Sequence, residues 1–197
     1  MKVILIVLIS LVSLAGIAQV LISKSLKKTE VQAYEVLKDF GSFEIRKYQP
    51  TLYSYVVMES DSYKSNSSRG FRKLAGYIFG GNEQNQSIAM TSPVTMTMDD
   101  SVTMKFKIPE GMELNEMPKP SDPSVRFEQS SEKIVAAIRF GGWSSDDSIE
   151  KYKSKLRALL DENKIKHKES FSYLGYNPPF ELINRRNEII VDVDWEE

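Results

Sequence analysis

Two patterns of hydrophobic positions divide the chain near residue 28. From Val3 to Ile22 the pattern is continuous, with only Ser10, Ser13 and Gln19 polar and no charged residue. As a helix rising about 1.5 Å per residue, such a run spans about 30 Å, the hydrocarbon thickness of a bilayer. Two assignments fit it: a secretory signal peptide that starts at Met1-Lys2 and is cleaved near Gly16-Ile17-Ala18, and a retained membrane anchor. Cleavable apolar cores usually run about 7–15 residues, so the apolar residues past that site (Val20, Leu21, Ile22) favour the anchor. Residues 1–28 are therefore expected to form an N-terminal hydrophobic helix with a basic flank at Lys24, Lys27 and Lys28, and the protein to be membrane-anchored or exported.

From Tyr34 onward the pattern alternates. Val94, Met96 and Met98 interleave with Thr95 and Thr97, a turn follows at Asp99-Asp100-Ser101, and Val102, Met104, Phe106 and Ile108 alternate with polar residues after it. That is a hairpin with one dry and one wet face. A second hairpin is predicted near the end, with Phe180 and Leu182 before a turn at 184–187 and Ile189, Val191, Val193 and Trp195 alternating after it; Pro93 and Pro179 stand where the two hairpins begin. Helices are predicted over Arg69 to Phe79, where Phe71, Leu74, Ala75, Ile78 and Phe79 share one face, and over Ser148 to Leu160, with Asp146 and Asp147 favouring its start. Strands are predicted before each helix: Phe43 to Tyr48 and Leu52 to Met58, then Val125 to Glu128 and Ile134 to Phe140. The order strand, helix, hairpin occurs twice, in halves at about 34–110 and 124–195, joined by a proline-marked connector from Pro109 to Pro123. The expected class is α+β, one curved or barrel-like antiparallel core with a helix covering each half.

Composition narrows the chemistry. The 197 residues contain no cysteine, which removes disulfides, thiol catalysis and Cys-ligated metals. Four lysines and no acid lie within residues 1–28, so the remainder holds 22 of the 26 basic groups against all 27 acidic ones. A body at −5 is a poor partner for nucleic acid. No nucleophile–base motif, zinc-binding helix or phosphate loop is present, so neither catalytic nor metal residues are assigned and an enzyme is not expected. The single histidine, His167, sits among lysines in a predicted loop and reads as structural or solvated. Met90, Met96, Met98, Met104, Met112 and Met117 fall within 28 residues; core packing is the simpler reading, a soft pocket for a flat apolar ligand the other. Arg69, Arg72 and Lys73 line the polar side of the first helix, where a carboxylate-bearing ligand would find counter-charges.

Five blocks resemble the SOUL haem-binding protein family: Tyr34-Glu35-Val36 with 43–48 (FEIRKY), 70–82 (GFRKLAGYIFGGN), 88–96 (IAMTSPVTM), 118–123 (PKPSDP), and 175–180 (GYNPPF) with 185–188 (RRNE). The resemblance covers about residues 34–195 and makes 29–197 a SOUL-like domain. It implies a distorted antiparallel β-barrel flanked by two helices, with an internal repeat. It also implies binding of haem or another tetrapyrrole without transformation, for buffering or delivery. The position where some relatives carry a histidine proposed as an axial iron ligand is Lys47 here, and a protonated lysine does not coordinate iron. Other relatives hold tetrapyrroles on an apolar surface beside the first helix. Carried onto this chain, that places Arg72 and Lys73 at the propionates, Gly76 at the close approach, and Tyr77 and Phe180 as stacking walls, with the 176–180 loop opposite. The chain is also similar to effector-binding domains of multidrug-responsive regulators, which implies the alternative of a module for another bulky amphiphile.

Overall fold

The structure, a computed structural model, describes residues 29–59, 62–99, 101–178 and 181–196. The expected N-terminal helix, Pro179 and Phe180 lie outside the described residues, within which no helix is long and apolar enough to cross a membrane. The elements are β1 (Glu35–Asp39), β2 (Glu44–Tyr48), β3 (Leu52–Met58), α1 (Tyr63–Ile78), β4 (Val94–Met98) and β5 (Val102–Lys107). After them come a 3-10 turn (Leu114–Glu116), β6 (Arg126–Gln129), β7 (Lys133–Phe140), α2 (Asp146–Glu162), β8 (His167–Gly175) and β9 (Asn187–Val193).

All nine strands join one antiparallel sheet in the order β1-β2-β7-β9-β8-β4-β5-β3-β6. The duplication is explicit in that order. β2-β3-α1-β4-β5 and β6-β7-α2-β8-β9 are the two halves, abutting at β4 and β8, and each lends its first strand to the other: β2 pairs with β7, and β6 with β3. The expected curved, barrel-like core takes the form of a curled half-barrel whose ladder stays open, with β1 and β6 as its edges. The β2–β3 and β6–β7 turns curl it, because each connects strands far apart in the order. They also bond to each other, Ser130 N–H donating to Thr51 O at 2.9 Å and Thr51 N–H to Ser130 Oγ at 3.0 Å.

Both helices cover one face of the sheet. Val56, Met58, Met96, Met104, Phe106, Ile138, Phe140, Phe171, Ile189 and Val191 point to them and bury with Leu74, Ile78, Ile149, Leu156 and Leu160. Of the six clustered methionines, Met96 and Met104 therefore pack as core, and Met90, Met98, Met112 and Met117 lie half-buried against it. An added Cβ at Gly70 would lie 2.7 Å from Met58 Cε, so α1 sits directly on the thioethers. The helix N-termini meet: α1 has no acid in its first turn, and Asp146 of α2 takes that place, its Oδ1 accepting from Tyr63 N–H at 2.7 Å.

Three local expectations are corrected. α1 begins six residues earlier than Arg69, capped by Ser62, because the polar Lys64–Ser68 run that reads as loop is the start of the helix, with Asn66 turned inward. Phe79 is not on the buried stripe; it caps the helix end and is 65% exposed. The strand that pairs with β9 in the second hairpin is β8, which places His167 on a strand and leaves Leu182, with the described residues 176–178 and 181–186, in a loop.

Candidate functional site

The outer face of α1 is built by a helix whose opposite face is consumed by the core. Arg72, Gly76 and Phe79 follow one another at i, i+4 and i+7 on this outer face. Gly76 is exposed, and nothing lies within 4 Å of where a Cβ would stand, so the backbone is open to a flat group. The helix stops at Phe79 because Gly80 adopts φ +105, a left-handed conformation that favours glycine, and Gly81 N–H then bonds Gly76 O at 2.8 Å. This reversal leaves the Phe79 ring in solvent beside the Gly76 opening.

The two cations differ. Arg72 is exposed and reaches only Ser68 O, at 3.4 Å, and has no carboxylate partner among the described residues. Lys73 Nζ donates to Ser124 Oγ at 2.8 Å and stands 3.8 Å from Asp122 Oδ2. Asp122 accepts from the hydroxyl and N–H of Ser124 and faces Lys73, which together hold its carboxyl below the usual carboxylate range. Lys73 thus already shares its charge with a carboxylate.

Tyr77 lies elsewhere. It is 2% exposed, its ring meets Phe127 edge-on at 5.4 Å, and its hydroxyl donates to Pro118 O at 3.1 Å. Burial pushes its phenol up to about 12. The residue ties the connector to α1 and does not line the exposed face. The strand that leads into the 176–186 loop meets α1 at its other end, where Tyr173 of β8 packs edge-on against Tyr63 and its hydroxyl reaches Ser144 and Asn187. That loop is pinned by Arg185, which bonds Pro178 O and Glu181 O and stacks over Trp143 at 4.3 Å; Leu182, Ile183 and Trp143 around it are mostly exposed. The structure therefore brings together Arg72, Lys73 and Gly76, adds Phe79, and keeps Tyr77 beneath. Phe79 was legible as an aromatic before Gly80-Gly81, a helix-stop signal that removes it from the helical stripe.

No group of three or more His, Asp or Glu able to hold a metal occurs among the described residues. Lys47 pairs with Glu132 at 3.0 Å, and His167 Nδ1 contacts Lys168 O at 2.7 Å on β8, away from α1.

A second concentration of charge lies on the sheet face opposite the helices. Arg46 bonds Glu188 through Nη1 at 2.7 Å and Glu44 through Nε at 2.6 Å, and stacks on Tyr34. Arg186 bonds Glu188 at 2.8 Å and stacks on Tyr176, whose hydroxyl also donates to Glu188. Burial alone would raise the Glu188 pKa, but bonds and charge from Arg46 and Arg186 hold it below the usual range. Burial and the adjoining Glu188 charge push the Tyr176 phenol far up. Every charge here is paired, so this network reads as a structural tie between β2 and the start of β9 rather than as a ligand site.

The fold and the α1 face define a duplicated, curled-sheet domain with an exposed apolar and cationic shelf. The family model described as SOUL heme-binding protein matches residues 29–192, and the chain belongs to that family. It is 33% identical over 158 residues to "Heme-binding protein 2" of Mus musculus, covering 76% of this chain and 77% of that one, and 32% identical over the same length and coverage to "Heme-binding protein 2" of Homo sapiens. Among solved structures the EcmrR C-terminal domain superposes with a TM-score of 0.61 at 10% identity, covering 82% of this chain and 98% of that domain, a likeness of fold.

Proposed function

We propose that the protein binds haem or a closely related tetrapyrrole on the outer face of α1, holding it for buffering or delivery without transforming it. The supporting feature is the row Arg72, Gly76, Phe79: an open backbone position between an exposed aromatic ring and a cation with no carboxylate partner. The residues fit such a group. The macrocycle would lie across Gly76 with its edge on Phe79, and Arg72 would meet a propionate, joined by Lys73 once it releases Asp122. Neither Lys47, paired with Glu132, nor His167, on β8, would hold the group here. Iron would supply the spectroscopic signal, and the side chains only bind and orient. Membership of a family whose relatives are named for haem binding supports the ligand class. Residues 3–22 would tether this body to a membrane or direct its export, which mass measurement of the mature amino terminus decides.

Hemin titration of the full chain in a non-ionic detergent tests the ligand. A saturable Soret shift, weakened by Arg72→Ala with Lys73→Ala and unchanged by His167→Ala, is expected; a flat titration contradicts it. A rise in melting temperature with non-porphyrin amphiphiles, and none with hemin, would favour the other bulky-ligand reading.

A further inference from the structure

The inner face of the curled sheet, opposite the helices, holds a cavity of about 560 Å³. This volume lies in the range of small-molecule sites. The curl makes it: Tyr48 of β2 and Tyr53 of β3, near opposite ends of the sheet order, both line it. Its floor is the buried pair Leu174 and Ile190, and Thr95, Thr97 and Ser172 add hydroxyls.

Three ammonium groups and two carboxylates line the same space. Lys105 Nζ bonds Glu128 at 2.7 Å and Lys168 Nζ bonds Asp192 at 2.9 Å, which commits both acids. Lys133 is left over. Among the described residues its Nζ has no hydrogen-bond or ion-pair partner and stands 5.9 Å from the Tyr48 ring centre. Burial, with the like charges of Lys105 and Lys168, pushes its pKa below the ordinary lysine value against the pull of Asp192 and Glu128. A cationic guest would find every carboxylate occupied, whereas an anionic one would find an ammonium in a partly dehydrated setting, where an ion pair is worth more than at the surface. One unmatched charge suits a monoanion better than a dianion, and the Leu174–Ile190 floor suits an apolar tail.

We propose that this inner cavity is a second ligand site, separate from the α1 face, which takes a small monocarboxylate with a short apolar tail, its carboxylate on Lys133 Nζ and its tail against Leu174 and Ile190. The site does not depend on haem binding. A guest carboxylate completes the charge balance of the cavity and covers its floor.

Isothermal titration of the full chain in non-ionic detergent with hexanoate, hexylammonium and inorganic phosphate tests it. Hexanoate should bind saturably, at least tenfold more tightly than either of the others. Lys133→Met should lower hexanoate affinity at least tenfold while raising the melting temperature of the unliganded protein, because it removes an unmatched charge from a sheltered space. A merely structural lysine would not give these opposite changes. Lys133→Glu should reverse the preference toward hexylammonium, a gain that only a folded protein can show. Absence of hexanoate binding, equal binding of hexylammonium, or Lys133→Met binding hexanoate within twofold of the parent would each overturn the proposal. Hemin affinity, read in parallel, should be the same in all three proteins.

Discussion

Gly76 gives the sharpest separation of stability from binding. Replacing it with alanine adds a methyl group that meets nothing within 4 Å, on a helical residue with no positive φ. The change removes the backbone entropy cost of a helical glycine, roughly 0.5–1 kcal/mol. For a domain of this size that is about 1–4 °C in melting temperature. Gly76→Leu keeps that gain and lays an isobutyl group across the surface where the macrocycle would rest. Hemin affinity should fall about tenfold, ~1.4 kcal/mol. The neighbouring Gly81→Ala is the control: its Cβ would stand 2.6 Å from Gly76 O, a backbone atom already bonded to Gly81 N–H, so a loss of about 1–3 kcal/mol is expected. Thermal melts by circular dichroism and Soret titrations on the three variants provide the readout. A fall in melting temperature for Gly76→Ala, or unchanged hemin affinity in Gly76→Leu, would refute the reasoning.

Other outcomes follow from the same geometry. Phe79→Ala, at an exposed position, should leave stability within about 0.5 kcal/mol while weakening hemin several-fold in the Soret titration. Tyr77→Phe should cost about 0.5–1.5 kcal/mol in denaturant melts through the lost bond to Pro118 O, with hemin affinity unchanged. Glu188→Gln breaks a fully paired buried network and should cost about 3–5 kcal/mol in the same melts. Glu188 is held below its unfolded pKa, so its contribution is fully present above about pH 4.5 and drains away as pH falls through the lower folded value. Urea midpoints of the parent should therefore drop on acidification below that point, and those of Glu188→Gln should drop less.

Much of this fold was legible along the chain because alternation survives wherever one sheet face is dry and the other wet. Val94–Met98 with Val102–Lys107 is such a case, and the repeat of strand, helix and hairpin emerged from the same signal. β8 was hidden because His167, Lys168 and Glu169 begin it with charge, and its apolar rhythm appears only at Phe171 and Tyr173. β9 shows the converse: Ile190 is buried beside Ile189 and Val191 because it packs on the inner face with Tyr48, Val135, Ala137 and Leu174, a tertiary fact with no local signature. The exchange of β2 and β6 between halves is likewise set by pairings across more than 70 residues. Of the site, the cations were legible from residue type on the polar side of a helix, and Gly76 through the family resemblance. The burial of Tyr77 was not, since its hydroxyl marks an aromatic for either surface or interior until Pro118 is placed beside it.

Paramagnetic broadening of backbone amide resonances by bound hemin tests the central claim most directly, because it locates the iron without altering the protein. Signals from Arg72 to Gly80 should lose intensity first, while those of Thr97, Lys133 and Ile190 on the inner face stay sharp. Selective broadening of the inner-face residues, with the α1 signals intact, would contradict the account.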